Sequence, residues 1–190
     1  MKKIICVLLV FLFLPACSVQ LTYPNREKDV AEGKDDFTQD EIPHEELKTT
    51  KWSIEYNSDA FFVQRQTDDS AVFALLEDVC QNENDASIYL SISFRRGISA
   101  KESADKAVKT EEEGGADTAI DTSMINEMEI PHVHIAWGEA ERSTIYDIYY
   151  FDTDGGCFAL TLCYYIASSE IWEKEMMDMV NSFSLESNVA

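Results

Sequence analysis

Basic residues are scarce in this chain: 15 Lys and Arg stand against 36 Asp and Glu, a formal charge of −21 over 190 residues. A surface of that sign repels phosphate backbones, which excludes nucleic acid and leaves basic partners, cationic ligands or metal ions as the electrostatic match. Long apolar runs are missing too. The stretch from Ile4 to Ala16 falls short of the roughly twenty residues that a transmembrane helix requires. The motifs of common chemistry are also lacking: no Gly-x-Ser-x-Gly, no His-Glu-x-x-His and no phosphate-cradling glycine loop occurs. Local spacing therefore announces neither an enzyme nor a cofactor, although constellations assembled across strands escape such motifs.

What is there begins with a leader. Met1-Lys2-Lys3 is followed by an uncharged apolar segment, Ile4 to Leu14, in the order of a secretory signal peptide. Ala16 then precedes Cys17, and Leu14-Pro15-Ala16-Cys17 resembles the lipobox of bacterial prolipoproteins, with Pro15 where Ala, Ser, Thr, Val or Ile is usual. The resemblance implies removal of residues 1–16, lipidation of Cys17, and an extracytoplasmic domain anchored to the bacterial cell membrane. Loss of Lys2 and Lys3 leaves 13 basic against 36 acidic residues, a net charge of −23.

Three cysteines remain besides Cys17 in the exported part: Cys80, Cys157 and Cys163. An odd set cannot pair fully. Cys157 and Cys163 fall on one apparent strand six residues apart, and at ~3.3 Å per residue they lie beyond disulfide reach. Any bridge joins Cys80 to Cys157 or to Cys163. From Ser18 to Thr50 the residues are largely polar, with Asp35-Asp36, Asp40-Glu41 and Glu45-Glu46 giving an acidic, self-repelling tether. The layout expected is leader 1–16, lipidated cysteine and tether 17–50, one folded domain 51–185 and a tail 186–190.

Within that domain, Trp52, Ile54 and Tyr56 alternate with polar residues, as do Ile88, Leu90, Ile92 and Phe94. Phe61-Phe62-Val63 and Val72 to Leu76 are short strand-like runs about a tight connection at Thr67 to Ser70. The period then becomes helical: Ser99 and Glu102 have capping-box spacing, Ala100, Ala104, Ala107 and Val108 share a face, and Gly114-Gly115 ends it. Met124, Met128 and Ile130 predict a strand ended or bent at Pro131, and Val133, Ile135 and Trp137 another. Asp152-Thr153-Asp154-Gly155-Gly156 predicts a hairpin turn between Thr144 to Phe151 and Phe158 to Ile166. A last helix begins at Ser168 or Ser169 and carries Ile171, Trp172, Met176, Met179, Val180 and Phe183 on one stripe. It is expected to cover the small-residue face of the preceding strand, Cys157, Ala159, Thr161 and Cys163. The class is α+β, a predominantly antiparallel sheet flanked by helices.

This order of elements, with Gly155-Gly156-Cys157-Phe158-Ala159-Leu160 in the hairpin and Met179-Val180-Asn181-Ser182-Phe183 closing the helix, resembles the PsbP-type α/β/α sandwich of many small bacterial lipoproteins. The resemblance spans Lys51 to Leu185 and implies a binding or assembly factor. It supplies no functional residue, because fold does not carry function.

The candidates for chemistry are few. His132 and His134, at i and i+2 on a strand, project both rings to one face about 7 Å apart, the spacing of metal ligands that a third group such as Glu129 would have to complete. Asp152 and Asp154 resemble the start of a calcium loop, but Cys157, Phe158 and Ala159 stand where later ligands belong, and a turn accounts for them. Either histidine with a cysteine would form a thiol–imidazole pair. Tyr146, Tyr149, Tyr150, Tyr164 and Tyr165 give the hairpin amphipathic side chains suited to recognition, although strand propensity explains most of them. The reading that follows is a non-catalytic, lipid-anchored accessory module with an envelope protein as partner. The alternatives are an envelope metal-dependent hydrolase using His132 and His134, and a small-ligand receptor.

Overall fold

Period-two alternation of apolar and polar residues recurs along the domain, and more than half of the described residues lie in strands. The computed structural model describes residues 43–76, 88–139 and 143–186. The leader, Cys17, most of the tether and Cys80 lie outside the described residues. The elements are β1 (His44–Lys48), β2 (Trp52–Asn57), β3 (Phe61–Thr67), β4 (Ser70–Leu75), β5 (Tyr89–Arg96), α1 (Ala100–Gly114), β6 (Asp117–Ile125), β7 (Met128–Trp137), β8 (Thr144–Thr153), β9 (Gly156–Tyr165), α2 (Ser169–Ser182) and β10 (Ser184–Leu185).

Seven strands form one antiparallel sheet in the order β3-β4-β5-β9-β8-β7-β6, and β1-β2-β10 form a second. At its centre the large sheet is buried on both faces. On one, Leu90, Ile92, Phe151, Phe158, Leu160 and Leu162 meet Trp52 and Ile54 of β2 and Met176, Met179, Val180 and Phe183 of α2. On the other, Cys157, Ala159, Val133, Ile135, Ile148 and Tyr150 meet Ala100 and Ala104 of α1. The result is the α+β sandwich that the pattern predicts. α1 starts where expected: Ser99 Oγ accepts from the Glu102 N–H at 3.2 Å, and Gly115 ends the helix in the left-handed conformation at φ 94°.

Three expectations are corrected. The small-residue face of β9 lies under α1, whose own alanines let it approach closely, and α2 covers the bulky face instead. His44 to Lys48, assigned to the tether, form β1 and pair with β2 from His44↔Asn57 to Lys48↔Ser53, so the described fold starts before Lys51. Met124 and Met128 lie on separate strands, because Asn126 and Glu127, both at positive φ, turn the chain between them. Pro131 sits inside β7 and not at its end. The β7–β8 ladder starts only at His132, so the missing Pro131 N–H costs no bond on that side.

Candidate functional site

Alternation along β7 turns Val133 and Ile135 toward α1 and so presents His132 and His134 on the opposite face. Register then supplies their neighbours. Asp147 of β8 pairs directly with His134, and Tyr149 with His132. Asp147 Oδ1 lies 3.0 Å from His132 Nε2 and 2.8 Å from His134 Nδ1, while its Oδ2 accepts from the Tyr164 hydroxyl of β9 at 2.5 Å. The second nitrogen of His132, Nδ1, lies 2.8 Å from Asp121 Oδ1 on β6, and its ring stacks on Tyr149 with centroids 4.5 Å apart. Four adjacent strands are thus joined by side chains.

Asp147 is the electrostatic centre of this cluster, only 6% exposed. Burial works against its charge, but hydrogen bonds from His132, Tyr164 and His134 outweigh it and hold the carboxyl below its ordinary value. Burial likewise opposes a charged His132, and its bonds to Asp147 and Asp121 outweigh that cost and raise its pKa. Both of its ring nitrogens face carboxylate oxygens, so both bonds are made only by the imidazolium. Burial, reinforced by the bond to Asp147, pushes the Tyr164 phenol up, which keeps it a donor.

The structure thus brings His132 and His134 together, as their spacing predicts, around a carboxylate that the sequence reading does not single out. The available signal is a lone Asp within the apolar run Ile145 to Phe151, a position that is costly to bury unless partnered. Glu129, the third ligand considered, is one strand position out of phase and projects to the other face. Among the described residues no group of three or more His, Cys, Asp or Glu is arranged to hold a metal ion.

Cys157 and Cys163 lie on the α1 side of β9, across the sheet from both histidines, so neither forms a thiol–imidazole pair with them. Burial pushes the Cys157 thiol up, away from the nucleophilic thiolate. Asp152, considered for a calcium loop, instead accepts from the Ala100 N–H at 2.6 Å and anchors the start of α1 to the hairpin. Tyr149, Tyr150 and Tyr164 are core residues, and Tyr165 is exposed. A groove of about 740 Å³ beside the β8–β9 turn has Phe94 and Phe158 in its wall, but Lys51, Arg96, Asp154 and Glu186 share it. Its wall therefore mixes aromatic and charged side chains.

No family model matches the chain, and neither does any curated protein. Among solved structures, the cyanobacterial PsbP (CyanoP) of Synechocystis sp. PCC 6803 is similar with a TM-score of 0.51 at 10% identity, over 76% of this chain and 94% of that one. The fold is PsbP-like. A crystal structure from Bacteroides thetaiotaomicron VPI-5482 matches with a TM-score of 0.46 at 13% identity; the match covers 73% of this chain and only 46% of that protein. In this PsbP-like domain the histidine cluster sits on the β6–β9 half of the large sheet, on the face that α2 and β2 cover further along.

Proposed function

We propose that the chain is a lipid-anchored accessory module of the bacterial cell envelope, tethered through Cys17 and presenting its PsbP-like domain to a protein partner without catalysing a reaction. The observation that carries the reading is the way the His132–Asp147–His134–Tyr164 cluster spends its hydrogen bonds internally, as a brace across strands. Asp147 is occupied at both oxygens and His132 at both nitrogens, so neither is poised toward a substrate. The lipobox supports the anchor, and the acidic tether supports a domain held off the membrane. The likeness to CyanoP supports an accessory role only through the shared fold.

Two measurements test this. Metabolic labelling with a fatty acid should mark the wild type and not Cys17→Ser; equal labelling of both defeats the anchor. Crosslinking of the full chain in its own membranes should give a discrete protein adduct that is lost when residues 43–186 are deleted and only the lipidated tether is left. Persistence of the adduct in that variant would show that the tether alone makes the contact.

A further inference from the structure

The large sheet ends in two edge strands, β3 and β6, and they differ in how they are protected. β3 is short, carries Arg65, and its register shifts between Val63 and Arg65. Bulges and charges of that kind keep an edge from pairing with another chain. β6 has no bulge and no cation, and its only charges are Asp117 and Asp121. Its nine residues pair with β7 without a break, from Asp117↔Ala136 to Ile125↔Met128, and neither strand contains a Lys, an Arg or an interruption of the ladder. Among the described residues no strand pairs with its outer side.

The two faces of β6 carry different chemistry. Thr118, Ile120, Thr122 and Met124 share one face, with Ile120 46% and Met124 61% exposed. Asp117, Ala119, Asp121 and Ser123 share the other. Glu112 of α1, bonded to Thr118 Oγ1 at 3.0 Å, adds a further carboxylate near the same strand.

We propose that β6 is a docking edge that accepts, by strand addition, an extended segment of a partner protein in which Lys or Arg alternates with apolar residues. The backbone of such a segment completes the open ladder. Its cations face Asp117 and Asp121, and its apolar residues cover Ile120 and Met124. A second copy of this chain is a poor occupant, because every register that matches apolar face to apolar face places the four carboxylates of two copies on one face. The acidic segment ahead of β1 carries the same wrong charge. The inference rests on the accessory reading and names the surface that serves it.

The test uses the chain purified from its own membranes in detergent and a nine-residue peptide alternating lysine with valine. Expected results are saturable binding, hydrogen-exchange protection, only with peptide, of the alternate amides of residues 117–125 that point away from β7, and affinity about tenfold weaker for a glutamate–valine peptide. Asp117→Lys with Asp121→Lys should reverse that preference. Asp117→Lys alone, which leaves the Asp121 bond to His132 in place, should narrow it, and so covers a failure of the double variant to fold. Equal binding by a peptide N-methylated at every residue, an unchanged preference in Asp117→Lys, or protection, before peptide is added, of the β6 amides that point away from β7 overturns the proposal. Failure here alongside a successful crosslink in membranes removes the β6 edge and leaves the accessory reading standing.

Discussion

Asp147 and His134 face each other directly across the β7–β8 ladder, and the carboxylate oxygen of one lies 2.8 Å from Nδ1 of the other. The same oxygen reaches His132, two residues along β7, and His132 reaches on to Asp121 of β6. With Tyr164 of β9 on its other oxygen, Asp147 holds together the half of the sheet furthest from β3. A charge buried in this way is tolerated only because register gives both of its oxygens hydrogen-bonding partners.

Replacing Asp147 by Ala should destabilise the domain by about 3 kcal/mol, because it strands the buried Tyr164 hydroxyl and leaves His132 without one of its two acceptors. Urea unfolding followed by circular dichroism gives the value. Tyr164→Phe removes only one donor and should cost about 1 kcal/mol. If Asp147→Ala proves no worse than Tyr164→Phe, the cluster is not a brace.

The pH dependence of stability has two limbs. The His132 pKa is raised above 6.5 in the fold, so its contribution is fully present below pH 6.5 and is lost as pH rises through the raised folded value. The Asp147 pKa is lowered from 3.8, so its contribution is present above that value and is lost as pH falls through the lowered one. The cluster therefore contributes most between about pH 4 and pH 6.5. His132→Phe keeps a ring on Tyr149 but cannot titrate. The stability difference between wild type and His132→Phe should shrink from pH 6 to pH 9, and a constant difference would deny the imidazolium.

Where sequence and structure agree, the signal was local. Ser99, Glu102 and Gly115 fix α1 by backbone chemistry within a few residues, and Asp154-Gly155 makes the turn that its dipeptide specifies. What could not be read depends on register. Nothing in Ile145 to Phe151 says which strand Asp147 will face, and β6, whose Asp117, Ala119 and Asp121 alternate with residues left partly exposed, has too little apolar contrast to show its period. The choice of helix for each face of β9 was likewise open, since two helices were available and only packing decides which one meets small residues.

That packing choice gives a test. Ala104 is fully buried on the α1 face that meets Cys157 and Ala159, so Ala104→Leu should overpack the interface and cost about 1–3 kcal/mol. Ala107→Leu, on a half-buried position of the same helix, should cost less than about 1 kcal/mol. Thermal unfolding of both variants separates them. Equal midpoints would mean that α1 does not sit tightly against β9.

Gly156 opens β9 opposite Arg96, at the point where the hairpin meets β5. A Cβ built there would stand 2.1 Å from the Arg95 carbonyl oxygen and 3.0 Å from its carbon. Those are backbone atoms of a paired strand and cannot rotate aside as a side chain would. The φ of 152° adds strain for any L side chain. Gly155 is different, since a Cβ there meets only Phe94 Cζ at 3.8 Å, an ordinary contact. Gly156→Ala should therefore cost more than about 2 kcal/mol, by forcing the β5–β9 ladder apart at its end, while Gly155→Ala costs less than about 1 kcal/mol. Denaturant midpoints of the pair, with amide exchange along β5 and β9, decide the matter. Similar losses for both, or a β9 ladder undisturbed in Gly156→Ala, would place the hairpin further from β5 than the register requires.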